Sequence, residues 1–137
     1  MRAEVGLRNR QFGWSLFLIG IVYGMALGLF AFDGPFPAPD RFADYASTPR
    51  RLIRLAHIAC MALGIVNAVY GHEIDRLAIG ERVRRLGSRL MMLSGALMPL
   101  LLTLAAFQAP WKWGLPIPAL AALGAVGILV SGLGTRD

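Results

Sequence analysis

Four stretches of this chain, about Phe12 to Phe32, Arg51 to Gly71, Leu90 to Phe107 and Leu115 to Leu133, are mostly apolar, and none contains Asp, Glu or Lys. Each is close to the ~20 residues a helix needs to cross a hydrocarbon layer ~30 Å thick. A helix satisfies its own backbone hydrogen bonds, so the pattern predicts an all-α, integral membrane four-helix bundle forming a single domain. The first stretch is longer than the apolar region of a signal peptide. It ends Phe30-Ala31-Phe32-Asp33 without a small-residue cleavage site, so it is expected to stay as a span.

The connectors differ in character. Asp33 to Thr48 is polar and proline-rich, which favours extended or turning backbone, with one helical turn predicted between Asp40 and Tyr45. Thr48 and Pro49 read as the cap and first position of the second long helix. His72 to Arg89 carries Arg76, Arg82, Arg84, Arg85 and Arg89 among Glu73, Asp75 and Glu81. Ile74, Leu77 and Ala78 share a helical face there, so the segment either lies along a membrane surface or is a solvated connector. Trp111 and Trp113 in the short third connector suit a membrane–water interface.

Composition sharpens this picture. The 137 residues are 56% hydrophobic and only 16% charged, against about a quarter charged in soluble domains. The net charge is +6, and Lys112 is the only lysine. The arginines flank apolar blocks instead of forming a stripe on a soluble element, which points to membrane lipids as partners and away from nucleic acid. Nine arginines belong to the N-terminal flank, the second connector and the C-terminus, against five cationic residues on the other side, Arg41, Arg50, Arg51, Arg54 and Lys112. The imbalance predicts both termini on the cytoplasmic side (N-in/C-in) of a bacterial cytoplasmic (inner) membrane. Arg50, Arg51 and Arg54 are the exception. They open the second span on the other side and are expected to face lipid phosphates, the acidic residues Asp33, Asp40 and Asp44, or a partner subunit.

Small residues predict how the helices meet. Gly20, Gly24 and Gly28 repeat at four-residue spacing and make a groove on one face of span one. Gly124, Gly127, Ser131 and Gly134 form a second small stripe on span four. Pro99 removes the donor for the Gly95 carbonyl in span three. Span two is unusual, because His57, Cys60, Gly64, Asn67 and Gly71 recur at spacings of three and four and place polar and small groups along one face. That face should meet protein. Cys60 is the only cysteine, so no disulfide within the chain and no paired-cysteine centre is possible.

A polar side chain inside a membrane invites a functional reading. His57 is therefore a candidate cofactor-binding residue, for haem b or a pigment, with Met61 one turn away. His72 lies ~22 Å along the same helix and cannot share an iron with it. The alternative is structural: His57 donates one hydrogen bond to a neighbouring helix, and Asn67 makes a second contact deeper in. Met91, Met92 and Met98 offer thioethers suited to Cu(I), but methionine is also an ordinary core residue. No metal site is assigned, and no hydrolase, zinc-protease or phosphate-loop motif occurs.

The block Arg51-Leu52-Ile53-Arg54-Leu55-Ala56-His57-Ile58-Ala59, continuing to Leu63-Gly64 and Asn67, with Asp33-Gly34-Pro35 and Asp44-Tyr45 before it, resembles a segment of small uncharacterised bacterial four-span membrane proteins. The resemblance covers a small part of the chain. It implies an electron-transfer setting and no catalytic residue. The leading expectation is a structural or accessory subunit of a larger membrane complex, respiratory or photosynthetic, assembled with other membrane subunits. A haem b- or pigment-binding protein using His57 is the alternative. A small homo-oligomeric channel or transporter is the third.

Overall fold

The computed structural model describes residues 5–31 and 34–134. Arg2, Phe32, Asp33 and Arg136, which enter the sequence reading, lie outside the described residues. Among the described residues the chain is all helical, without strands. The order is α1 (Val5–Gly28), α2 (Asp40–Ala43), α3 (Thr48–Ile74), α4 (Glu81–Phe107), a 3-10 helix (Ala109–Gly114) and α5 (Pro116–Leu133). Four helical segments are long and apolar enough to cross a membrane.

The four long helices run up and down in sequence. α3 packs on α1 and α4, α4 also meets α1, and α5 lies at the edge against α4. The end of the bundle holding the start of α1 is called basal below, and the opposite end distal. Ser47 caps α3 by accepting from the Arg50 amide, at 3.4 Å. The cap is thus Ser47 and not Thr48, which is already the first helical residue, followed by Pro49. α2 supplies the short turn expected after the prolines.

Two long helices begin earlier than their apolar cores. α1 starts at Val5 and α4 at Glu81, so Asn9 and Ser88 are helical and buried instead of lying in connectors. The second connector is correspondingly short. Ile74 and Leu77 do not lie along a surface. They are 0% and 2% exposed and join Tyr70, Met91 and Ala125 in the core.

The contact between α1 and α3 is the closest in the molecule, because glycine meets glycine. A Cβ on Gly13 would sit 2.5 Å from the Gly64 carbonyl oxygen, and one on Gly64 would sit 2.8 Å from the Gly13 carbonyl oxygen. Gly6 and Gly71 oppose each other in the same way at the basal end. Towards the distal end the α3 residue grows. Gly20 faces Cys60 and Met61, and Gly24 faces the His57 ring, whose Nε2 would lie 2.5 Å from an added Cβ. Beyond it Gly28 has nothing within 4 Å of such an atom. The pair is therefore a wedge, closed at the base and open at the distal end.

Candidate functional site

Two polar assemblies occupy the ends of this wedge, and they differ in kind. At the base, Asn9, Asn67 and Ser88 join three helices. Asn67 donates to the carbonyls of Leu63 (2.9 Å) and Met91 (3.2 Å), and its side-chain oxygen accepts from Asn9 Nδ2 at 3.2 Å. Asn9 also donates to the Ser88 carbonyl at 3.3 Å and accepts from the Ser88 hydroxyl. Both carboxamides use both of their protons and their oxygen, the condition under which buried polar groups stabilise instead of costing energy. Asp75 adds to this end. It accepts the Gly6 amide at 2.8 Å, where a carboxylate favours a helix N-terminus, and pairs with Arg10 at 3.2 Å. This is structural chemistry with every partner inside the chain.

The distal end holds a cavity of about 500 Å³ between the end of α1, the loop that follows and the start of α3. His57 fills the space opposite Gly24, and beyond it Gly28, with nothing within 4 Å of an added Cβ, leaves the gap between the helices open. Phe30, Ala38 and Phe42 roof it with apolar surface. Phe30 stacks obliquely on Phe36, and Phe42 meets Phe107 edge-on, which fixes the roof to α4. Among the described residues the polar side chains on its wall are those of Tyr45, Arg50, Arg54 and His57.

Arg50 and Arg54 both lie over the Tyr45 ring, at 5.2 and 4.0 Å from its centre. Cation–ring contacts of this kind hold a guanidinium without neutralising it. Arg50 spends its protons on the carbonyls of Phe42 (2.6 Å), Ala43 (3.3 Å) and Phe30 (3.4 Å), which binds the loop to α3. Arg54 makes no hydrogen bond to a described residue, and neither arginine reaches a described carboxylate. Asp40 and Asp44, offered by the sequence as possible anions, make no ion pair with them; Asp44 accepts the Ala46 amide. Arg51 is exposed beside them.

His57 does not form the expected interhelical hydrogen bond to any described residue. It meets Gly24 and the edge of Tyr23, whose ring centre is 6.3 Å away. Tyr23 instead pairs with Thr103 on α4 at 3.0 Å. Among the described residues the cavity wall holds one imidazole and no methionine, cysteine or second histidine. Met61 lies against Gly20, a turn deeper.

The other sequence candidates fall as follows. Gly20, Gly24, Cys60 and Gly64 are brought together in the α1–α3 contact, and Asn67 in the basal network. Gly28 lines the cavity. Gly124 faces Leu90 of α4, whereas Gly127 and Ser131 lie on the exposed side of α5, where Ser131 donates to the Gly127 carbonyl. Tyr70, which the sequence reading passes over, ties α3 to α5 through the Ala125 carbonyl at 3.1 Å. No protein-family model, curated protein or solved structure matches the chain.

Proposed function

We propose that the chain is a multi-pass protein of the bacterial cytoplasmic membrane, with both termini on the cytoplasmic side, serving as a non-catalytic accessory subunit of a larger membrane assembly. The supporting observation is α5. It packs on α4 alone over most of its length, and its small residues Gly127 and Ser131 face outward between exposed Leu120, Leu123 and Val130. Small residues in a membrane-facing stripe let another helix approach closely, which is how helices associate where lipid removes the hydrophobic drive. The electron-transfer setting rests on the resemblance of the Arg51–Ala59 block and on nothing else.

Affinity purification of the tagged chain from its native membranes in mild detergent tests this reading. Co-purifying membrane subunits in fixed ratio are expected, and a stable lone monomer would rule the reading out. A second copy as the sole companion would favour a homo-oligomer. The channel reading has less behind it, since Asn67, the polar group it would place along a pore, is taken up by Asn9 and Met91 within the chain.

One observation favours the alternative, a haem b or pigment at His57: the histidine borders a cavity and carries no hydrogen bond to a described residue. An absorption spectrum of the protein taken from its own membrane decides it. A Soret or pigment band lost in His57→Ala would establish ligation, and no band in the wild-type protein removes the alternative.

A further inference from the structure

The ion pairs given by the described residues all lie at the basal end. They are Arg10 with Asp75, Arg76 with Glu73, and both Arg84 and Arg85 with Glu81. The distal end has cations without such partners, next to an apolar cavity. We infer that this cavity is a binding site for one anionic phospholipid, with the phosphate against Arg54 and Arg50, the ester region near His57, and a hydrocarbon chain against the Gly24–Gly28 face of α1.

Each part of the site matches a part of that ligand. Tyr45 holds two guanidinium groups at the rim, and Arg54 keeps its planar fork of donors free, the geometry that recognises a phosphate. His57 follows Arg54 by three residues, so it lies ~4.5 Å deeper on the same side of α3. Its ring, which carries no hydrogen bond to a described residue, is at the depth where an ester carbonyl follows a phosphate. Away from the rim the wall is Gly24, Gly28, Leu27, Ile53 and Ile58 under the aromatic roof, which accepts methylene groups and gives a soluble anion nothing to hold. The charge also needs an explanation that topology does not give, because arginine on this side of a membrane runs against the usual bias. Arg50 answers it by tying down three carbonyls, but Arg54 has no such use.

The inference rests on the membrane reading and not on the accessory role. The test uses the full chain, purified in detergent and offered an equimolar mixture of phosphatidylglycerol, phosphatidylethanolamine and phosphatidylcholine, with retained lipid counted by native mass spectrometry. One phosphatidylglycerol per chain is expected, preferred over phosphatidylcholine by about tenfold or more, as for one charge-assisted contact. Arg54→Gln should erase the preference. Gly28→Leu should displace the lipid while keeping wild-type helicity, since a side chain there enters open space. Excess inorganic phosphate should not compete.

Equal retention of phosphatidylcholine would overturn the assignment, as would unchanged phosphatidylglycerol binding in Gly28→Leu. Competition by free phosphate would make the rim a soluble-anion site and would equally refute it. Extraction of the chain from membranes by alkaline carbonate would show instead that the membrane reading itself had failed.

Discussion

The carboxamide of Asn67 tests how a single side chain earns its place in an apolar interior. An interhelical hydrogen bond in a membrane contributes only ~0.6 kcal/mol on average, so the two that Asn67 makes, with Asn9 and Met91, matter mainly because removing one partner strands the others. Asn67→Leu leaves Asn9 and the Met91 carbonyl short of a partner, and about 1–3 kcal/mol should be lost in unfolding titrations. Asn67→Asp keeps the shape but removes the two protons given to the Leu63 and Met91 carbonyls. It should therefore destabilise at least as much as the leucine variant. Wild-type stability in Asn67→Asp would mean that shape, and not donation, is what the site requires. His57 contrasts with Asn67 here: without a hydrogen bond to a described residue, it contributes through its bulk against Gly24.

At the scale of elements, glycine has opposite meanings on two helices. Gly13→Ala places a methyl group against the backbone of α3 and should cost about 1–3 kcal/mol, as overpacking does. Gly127→Ala meets open space and should stabilise its helix by about 0.5–1 kcal/mol in the isolated chain. Thermal unfolding of the two variants side by side reads the difference. In the assembled complex Gly127→Ala should instead weaken association if α5 is the docking face. Four long apolar blocks announced four long helices, and the three- and four-residue stripe on α3 announced its contact face. The matching stripe on α1 was partly hidden. Gly6, Gly13 and Gly20 recur every seven residues, whereas the four-residue series Gly20, Gly24, Gly28 is more conspicuous and runs off into the cavity. Asn9 and Ser88 were hidden because hydropathy marks where an apolar stretch begins and not where a helix does. The cavity itself was out of reach of any pattern, since it depends on which residue of α3 stands opposite each glycine of α1.

For the whole molecule, the distribution of charge predicts the direction of insertion. Single cysteines at Gly80 and Ala46, both exposed, mark the basal and distal ends, and native Cys60 is buried and should stay silent. In intact cells a membrane-impermeant thiol reagent should label position 46 and spare position 80. The reverse pattern would turn the bundle over, and with it the leaflet from which the distal cavity opens.

The wedge between α1 and α3 also has a consequence in time. Two rods pressed backbone to backbone at one end and held apart by a ring at the other move like tongs, with a fulcrum near Gly13 and Gly64. Spreading them at the His57 end disturbs one edge-on ring contact and the long Arg50–Phe30 bond (3.4 Å), whereas spreading them at Gly71 would break the buried Asn9–Asn67 bond, the Gly6–Asp75 bond and the Arg10–Asp75 ion pair. Local opening is cheapest where the fewest contacts are lost. Amide exchange along α3, followed by mass spectrometry on the full chain in lipid nanodiscs, should therefore slow progressively from Arg54 towards Tyr70. A uniform rate along the helix would show that the two rods separate as one body.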